Sequence, residues 1–262
     1  MMFYGQVAEW KRLVKNTSFH PNPALSGLAR LAALGCASRS RCCWVAGVTM
    51  KVCIELLSKD LQRYPSKANS RIANMDFGLL QQRHDIRRLI FEWFVSSKKQ
   101  RSPFDAFRDL WQSFNEWAKL VTRQRIDRHW VDALMLNTKA QQMFALLVSD
   151  DEEFLFTARN FQRWWPIFDA ETINERGLRW QFGNRDEARS YYFGHNIPFS
   201  PPCWKRHSVI PLDWPHTLSA LYQVRNNLVH GAKSRSRVNS ELVKDAYGVL
   251  FVFLDKGKWL LE

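Results

Sequence analysis

From Asp76 onward the chain places apolar side chains every three to four residues, and nowhere does it alternate apolar with polar over a useful strand length. A 3.6-residue repeat gives each segment one stripe to bury, so the pattern predicts helices packed on helices, an all-α fold. Leu79, Leu80, Ile86, Leu89, Ile90, Trp93 and Phe94 form a first stripe. After Ser102-Pro103, where proline suits a first helical turn, Phe104, Phe107, Leu110, Trp111, Phe114, Trp117 and Leu120 form a second. A further helix is expected over Val131–Val148. The acidic group Asp150–Glu153 opens the next, since carboxylates favour a helix N-terminus; Mg²⁺ binding there is the weaker alternative.

The stretch from Trp164-Trp165-Pro166 to Pro215 is richer in Gly, Pro and Asn and is expected to be irregular, with short helices at best. Two strong helices close the chain. One starts near Trp214-Pro215 and stops at His230-Gly231; the other follows Asn239-Ser240, which can cap it, and carries Leu242, Val243, Ala246, Val249, Leu250, Val252 and Phe253. With 12 Trp and 18 Phe, the interior is expected to be built from large flat side chains. For the Phe104–Leu120 helix that means a core stripe rather than a base-stacking surface.

Residues 1–75 differ in character. They hold +8 of the net charge of +13, have no acidic residue between Glu9 and Glu55, and contain four of the five Cys but only two Trp. A basic N-terminal extension, 1–75, is therefore set apart from a helical domain, 76–262. The extension stays open to several readings: a loosely ordered arm touching nucleic acid, short helices over Ala24–Leu34 and Val52–Leu61, an over-extended start ahead of Met50 or Met75, or an acid-poor transit segment. The overall positive balance favours a polyanionic partner, nucleic acid or an anionic surface.

Cys36, Cys42, Cys43, Cys53 and Cys203 offer no even framework and no C-x-x-C pair, so a disulfide scaffold and a zinc knuckle are both disfavoured and a reducing cytoplasm is expected. The most apolar candidate for a membrane span, Leu31–Leu57, is interrupted by Arg39, Arg41 and Lys51. No phosphate-cradling Gly loop, G-x-S-x-G elbow or H-E-x-x-H zinc helix occurs. Asp127, His129 and Asp132 lack a second ligand set and are expected on a solvated helix face. Lys205-Arg206-His207 could touch phosphate.

The segment richest in chemistry is Leu221-Tyr222-Gln223-Val224-Arg225-Asn226-Asn227-Leu228-Val229-His230-Gly231. Leu221, Val224 and Leu228 make the buried seam, while Tyr222, Asn226 and His230 form a polar stripe on another side. Arg225 lies five residues before His230, about 140° around the helix. Its side chain must reach around to join His230, or the two must meet across a symmetric partner.

This passage resembles the HEPN superfamily, whose signature is Arg, a polar residue, a short spacer and His in one helix; the matching residues are Arg225, Asn226 and His230. Upstream, Trp111-x-x-Phe114-Asn115-x-Trp117 is similar to the first core helix of the Apea-like branch, and the likeness runs from Asp76 to Leu261. The resemblance implies a HEPN-type helical bundle that dimerises and cuts RNA without a metal or other cofactor. It implies a composite site between two copies of the motif helix and a toxin or phage-defence role in prokaryotes. An antitoxin or defence partner protein would accompany it.

In that reading the ribose 2′-hydroxyl is the nucleophile. His230 moves protons, Arg225 stabilises charge on the phosphoryl oxygens, and Asn226 orients His230 or donates to the phosphate. The product carries a 2′,3′-cyclic phosphate. Tyr222 would stack on a base or hydrogen-bond in the site, or else cap the core with a wet hydroxyl. Lys233, Arg235 and Arg237 would hold the RNA backbone, or form a solvated loop. The superfamily also has members that only bind, so an inactive nucleic-acid- or protein-binding module is the alternative. A related group that carries Tyr two residues after the His is disfavoured by Ala232.

Overall fold

The computed structural model describes residues 75–204, 209–229 and 237–260. Of the basic extension 1–75 all but Met75, together with Lys205-Arg206-His207, His230, Lys233 and Arg235, lie outside the described residues. The expected all-α class holds. In chain order the helices are α1 (Leu79–Gln82), α2 (His84–Lys99), α3 (Pro103–Thr122), α4 (Asp127–Leu136), α5 (Thr138–Asp150), α6 (Glu152–Gln162), α7 (Ala170–Glu175), α8 (Arg185–Gly194), α9 (Trp214–Val229) and α10 (Arg237–Lys256). Two short strands, β1 (Ile167–Phe168) and β2 (Phe199–Ser200), pair antiparallel with Ile167 opposite Ser200. Among the described residues no helix is long and apolar enough to cross a membrane.

Helix α3 is the central element. Pro103 occupies its first turn as expected, and Arg123 closes it in the left-handed conformation at φ 56°. Its stripe of Phe107, Leu110, Trp111, Phe114, Trp117 and Val121 is buried, which makes the aromatic repeat core. Phe114 meets Trp111, Trp117, Trp130 and Trp214 at ring-centroid distances of 5.4, 5.6, 5.5 and 6.3 Å. Trp214 opens α9, stacks on Phe253 of α10 at 4.0 Å, and donates its indole N–H to the Leu134 carbonyl at 3.0 Å. Four helices thus converge on one ring cluster. Rings of this size each bury on the order of 150–250 Å², so the cluster supplies much of the driving force for the bundle.

Three boundaries differ from the sequence expectation. The first stripe is split at Arg83, and α2 buries Ile90, Phe94 and Ser97, so Leu89 turns outward and is exposed. The single helix expected over Val131–Val148 is two, because Asn137 adopts an extended conformation and its side chain accepts from Ala140 N at 2.9 Å. A side-chain acceptor that replaces the helical partner of a backbone N–H ends one helix and starts another. Finally, α10 begins at Arg237, which puts Asn239 and Ser240 inside its first turn rather than at its cap. First-turn N–H groups have no intrahelical partner, so polar side chains are tolerated there. The acidic group behaves as expected. Asp151 caps α6 by accepting from Phe154 N at 3.0 Å, Glu152 and Glu153 fill its first turn, and Lys256 of α10 pairs with Asp151.

Between α6 and α9 the irregular stretch folds into the short hairpin, α7 and α8 around a second small cluster of Ile173, Tyr192 and Ile197. Tyr192 donates to the Arg179 carbonyl at 3.1 Å, and burial pushes its pKa up to about 12. The unfolded phenol ionises near pH 10, so its stabilising contribution is complete below that and is lost as pH rises towards 12. Tyr192→Phe removes this dependence; denaturant titrations at both ends of the window should show the wild type losing about 2–3 kcal/mol more than the variant.

Gly248 of α10 lies against α6, and a Cβ there would sit 2.9 Å from the Thr157 methyl. Alanine in a helix interior is favoured over glycine by about 1 kcal/mol, whereas an overpacked contact costs about 1–3 kcal/mol. Gly248→Ala alone is therefore expected to destabilise. With Thr157→Ser, which removes that methyl and keeps the hydroxyl, the same change should stabilise by up to about 1 kcal/mol. Thermal unfolding of the four-member cycle measures the coupling.

Candidate functional site

Helix α9 divides its residues as the spacing predicts. Leu221 and Val224 are buried, Leu228 is half-buried, and Tyr222, Arg225 and Asn226 are partly exposed. About three-quarters of the Arg225 side chain is buried, and its guanidinium is held by two acceptors. One Nη donates to Asn226 Oδ1 at 3.0 Å and the other to Asp127 Oδ2 at 2.9 Å. About a quarter of each side chain of the Arg225–Asp127 pair is exposed, which makes it stronger than a fully solvated pair and free of the full cost of burial. A guanidinium has five N–H donors, so three remain for a further acceptor.

Asp127 opens α4 and is the junction of the site. Its other oxygen receives the Trp130 indole N–H at 3.4 Å and lies 3.8 Å from Lys119 Nζ of α3. Lys119 also pairs with Glu116 at 3.4 Å. Charges thus alternate across α3, α4 and α9 in the order Glu116, Lys119, Asp127, Arg225. Tyr222 packs its ring near Trp111 and Trp130, at 6.2 and 6.5 Å, one helical turn before Asn226. Burial, reinforced by the Asp127 charge, holds its phenol above the usual tyrosine pKa, so it stays neutral through the physiological range. The ring belongs to the core edge and the hydroxyl to the polar stripe.

The structure brings together Arg225, Asn226 and Tyr222. His230, Lys233 and Arg235 lie outside the described residues, and of Arg237 only its place at the start of α10 is described. His129 is half-buried on α4, beside Arg128, which pairs with Asp132 at 3.4 Å.

Two residues take roles that depend on the fold. Asp127 is 98 positions from Arg225, and nothing local links them. Asn227 was legible in part, because it follows Val224 by three and so shares the buried seam. It is almost fully buried; its Oδ1 accepts from Ala170 N at 2.9 Å and Gln223 Nε2 at 3.1 Å, and its Nδ2 donates to the Phe168 carbonyl at 2.9 Å. Gln223 also donates to Asp169, which caps α7 through Thr172 N. The double Asn of the motif therefore has two tasks. Asn226 serves the surface group, and Asn227 fastens the β1–α7 corner to α9.

Comparison of this chain with protein-family models, with curated proteins and with solved structures found no match.

Asn227→Ala strands the Ala170 N–H and the Phe168 carbonyl in a buried corner, at about 1–3 kcal/mol for each lost partner. It should lower unfolding free energy by about 2–4 kcal/mol, whereas Asn226→Ala, at a partly exposed site, should cost about 1 kcal/mol or less. Urea unfolding followed by Trp fluorescence distinguishes the two neighbours.

Proposed function

We propose that this chain is a metal-independent endoribonuclease of the HEPN type, acting as a homodimer in a reducing compartment in a toxin or phage-defence role. The observation that carries the reading is the guanidinium of Arg225, held at the surface of α9 between Asp127 and Asn226 with donors to spare, five residues before His230. Fixed in this way, Arg225 meets a phosphodiester without first losing much side-chain freedom, which is how a preorganised cation stabilises developing charge on phosphoryl oxygens. His230 supplies a proton-transfer group whose ordinary pKa, near 6.5, suits neutral conditions. The nucleophile is the substrate's own 2′-hydroxyl, so the reading calls for no metal and no cofactor.

The surface around Arg225 supports pairing with a second copy. Ile126, just before Asp127, and Val229, one turn after Arg225, are both exposed apolar side chains. Two copies meeting there would bury these rims and bring two motif helices together, supplying the general acid and base from paired His230 residues. Lys233, Arg235 and Arg237 follow directly in sequence as backbone-contacting candidates.

One observation favours the alternative of a binding module without cleavage: both Nη atoms of Arg225 are already engaged within the chain, as a structural arginine would be.

Single substitutions separate the two. Under the nuclease reading, Arg225→Ala and His230→Ala each lower the cleavage rate by at least about a hundredfold, the scale on which general acid–base groups and charge-stabilising donors act. Both variants should remain folded with the wild-type dimer mass, Arg225→Ala melting a few degrees lower because Asp127 loses its partner. The check is gel-resolved cleavage of total RNA alongside light-scattering mass. Equal cutting by all three proteins would defeat the assignment, and retention of RNA with no cutting by any of them would favour the binding module.

A further inference from the structure

Away from the motif helix, three arginines gather on two indole rings. Trp164, at the end of α6, is fixed by its N–H donating to Asp245 of α10 at 2.7 Å. The guanidinium carbons of Arg185 and Arg163 lie 5.0 and 5.7 Å from its ring centroid. Beside it, Arg189 sits 5.3 Å from the Trp204 ring, whose stacking partner is Phe193 at 5.2 Å. Arg189 donates to the Trp165 carbonyl and pairs with Asp186 at 3.2 Å, while its buried Nε has no hydrogen-bond partner among the described residues. Arg163 lies 3.7 Å from Asp245 and is more than half exposed.

The cluster is short of anions. Asp186 and Asp245 each face one arginine, and the exposed Arg185 has no carboxylate within ion-pair distance among the described residues. Arg185 and Arg163 crowd the same Trp164 ring, at 5.0 and 5.7 Å from its centroid. Like charges crowded this way repel one another unless an anion joins them. Flat contact with indole holds the guanidiniums by their faces and leaves N–H edges free to meet phosphate oxygens.

We propose that Arg163, Arg185 and Arg189, mounted on Trp164 and Trp204, form a second binding surface that takes the phosphate backbone of single-stranded RNA. The choice of RNA rests on the nuclease reading above; the phosphate chemistry does not. A single strand presents repeated phosphates together with flat bases, which an arginine–tryptophan surface can engage side by side. An acidic peptide offers carboxylates alone, and two of the three arginines here already face carboxylates.

The test uses the full chain and a fluorescein-labelled single strand of 2′-O-methyl RNA, which lacks the attacking hydroxyl, so binding is read whether or not the protein cuts. Fluorescence anisotropy is measured across a salt series for the wild type, Arg163→Gln, Arg185→Gln, and Arg88→Gln on α2 as a charge-matched control. Each lost phosphate contact on a single strand lowers the salt slope by about 0.7, equivalent to roughly fourfold weaker binding near 0.15 M salt. Arg163→Gln and Arg185→Gln are expected to show that loss with unchanged melting temperature, and Arg88→Gln is not. Unchanged affinity in both cluster variants, or an equal loss in the Arg88 control, overturns the proposal. So does a loss confined to a labelled polyglutamate with RNA binding intact. A wild type that cuts no RNA yet shows the arginine-dependent slope would retire the nuclease reading and leave this surface standing.

Discussion

The burial of one face of α3 against three other helices holds this structure together. Trp111, Phe114 and Trp117 occupy that face, and Trp130 of α4, Trp214 of α9 and Phe253 of α10 close around them. Aromatic rings are rigid, with few rotamers to lose, so a cluster of them fixes helix spacing more firmly than aliphatic side chains of equal area. The separation of α4 from α9 is set by Trp130, Trp214 and the indole bond to the Leu134 carbonyl. That separation determines whether Asp127 can reach Arg225. The surface chemistry follows from the core.

The site is held from two sides. On its solvent side a chain of alternating charges, Glu116, Lys119, Asp127 and Arg225, joins α3, α4 and α9. The outer Glu116–Lys119 pair is the most exposed and contributes about 1 kcal/mol or less, whereas Arg225–Asp127, with about a quarter of each side chain exposed, contributes more and fixes the direction of the guanidinium. On the inner side Asn227 and Gln223 hold the β1–α7 corner through a buried amide network, where each hydrogen bond lost exposes an unsatisfied partner. Consecutive residues 224 to 227 thus pass from core to surface pair and back to the core within one helical turn.

Much of this was legible in the sequence because it depends on local spacing. The helical class, the start of α3 at Pro103, the start of α6 at the acidic group, and the buried seam of Leu221 and Val224 all follow from residues within a few positions of one another. What the sequence hid depends on distant partners. Asn137 looked like one more residue of a continuous helix; its side chain instead caps α5 and meets Met75, 62 positions away. Leu89 fitted the apolar repeat, but the break at Arg83 and the packing of Ile90 and Phe94 against α3 turn it outward. Asp127 stands two positions before His129 in the sequence, whereas its role as the carboxylate opposite Arg225 requires the fold. The Arg163–Arg185–Arg189 grouping likewise spans a segment whose sequence shows only irregularity.

The proposed chemistry makes one demand that no binding role shares: the atom that attacks phosphorus belongs to the RNA. The most direct measurement compares an oligoribonucleotide cut by the protein with the same strand carrying a single 2′-deoxyribose on the 5′ side of the cut, both in excess chelator, with product ends read by mass spectrometry. The account predicts that the all-ribose strand is cut to a 2′,3′-cyclic phosphate while the deoxy strand stays intact at that position. Cleavage of the deoxy strand at the same position, or cleavage that appears only when a divalent metal is restored, would contradict it.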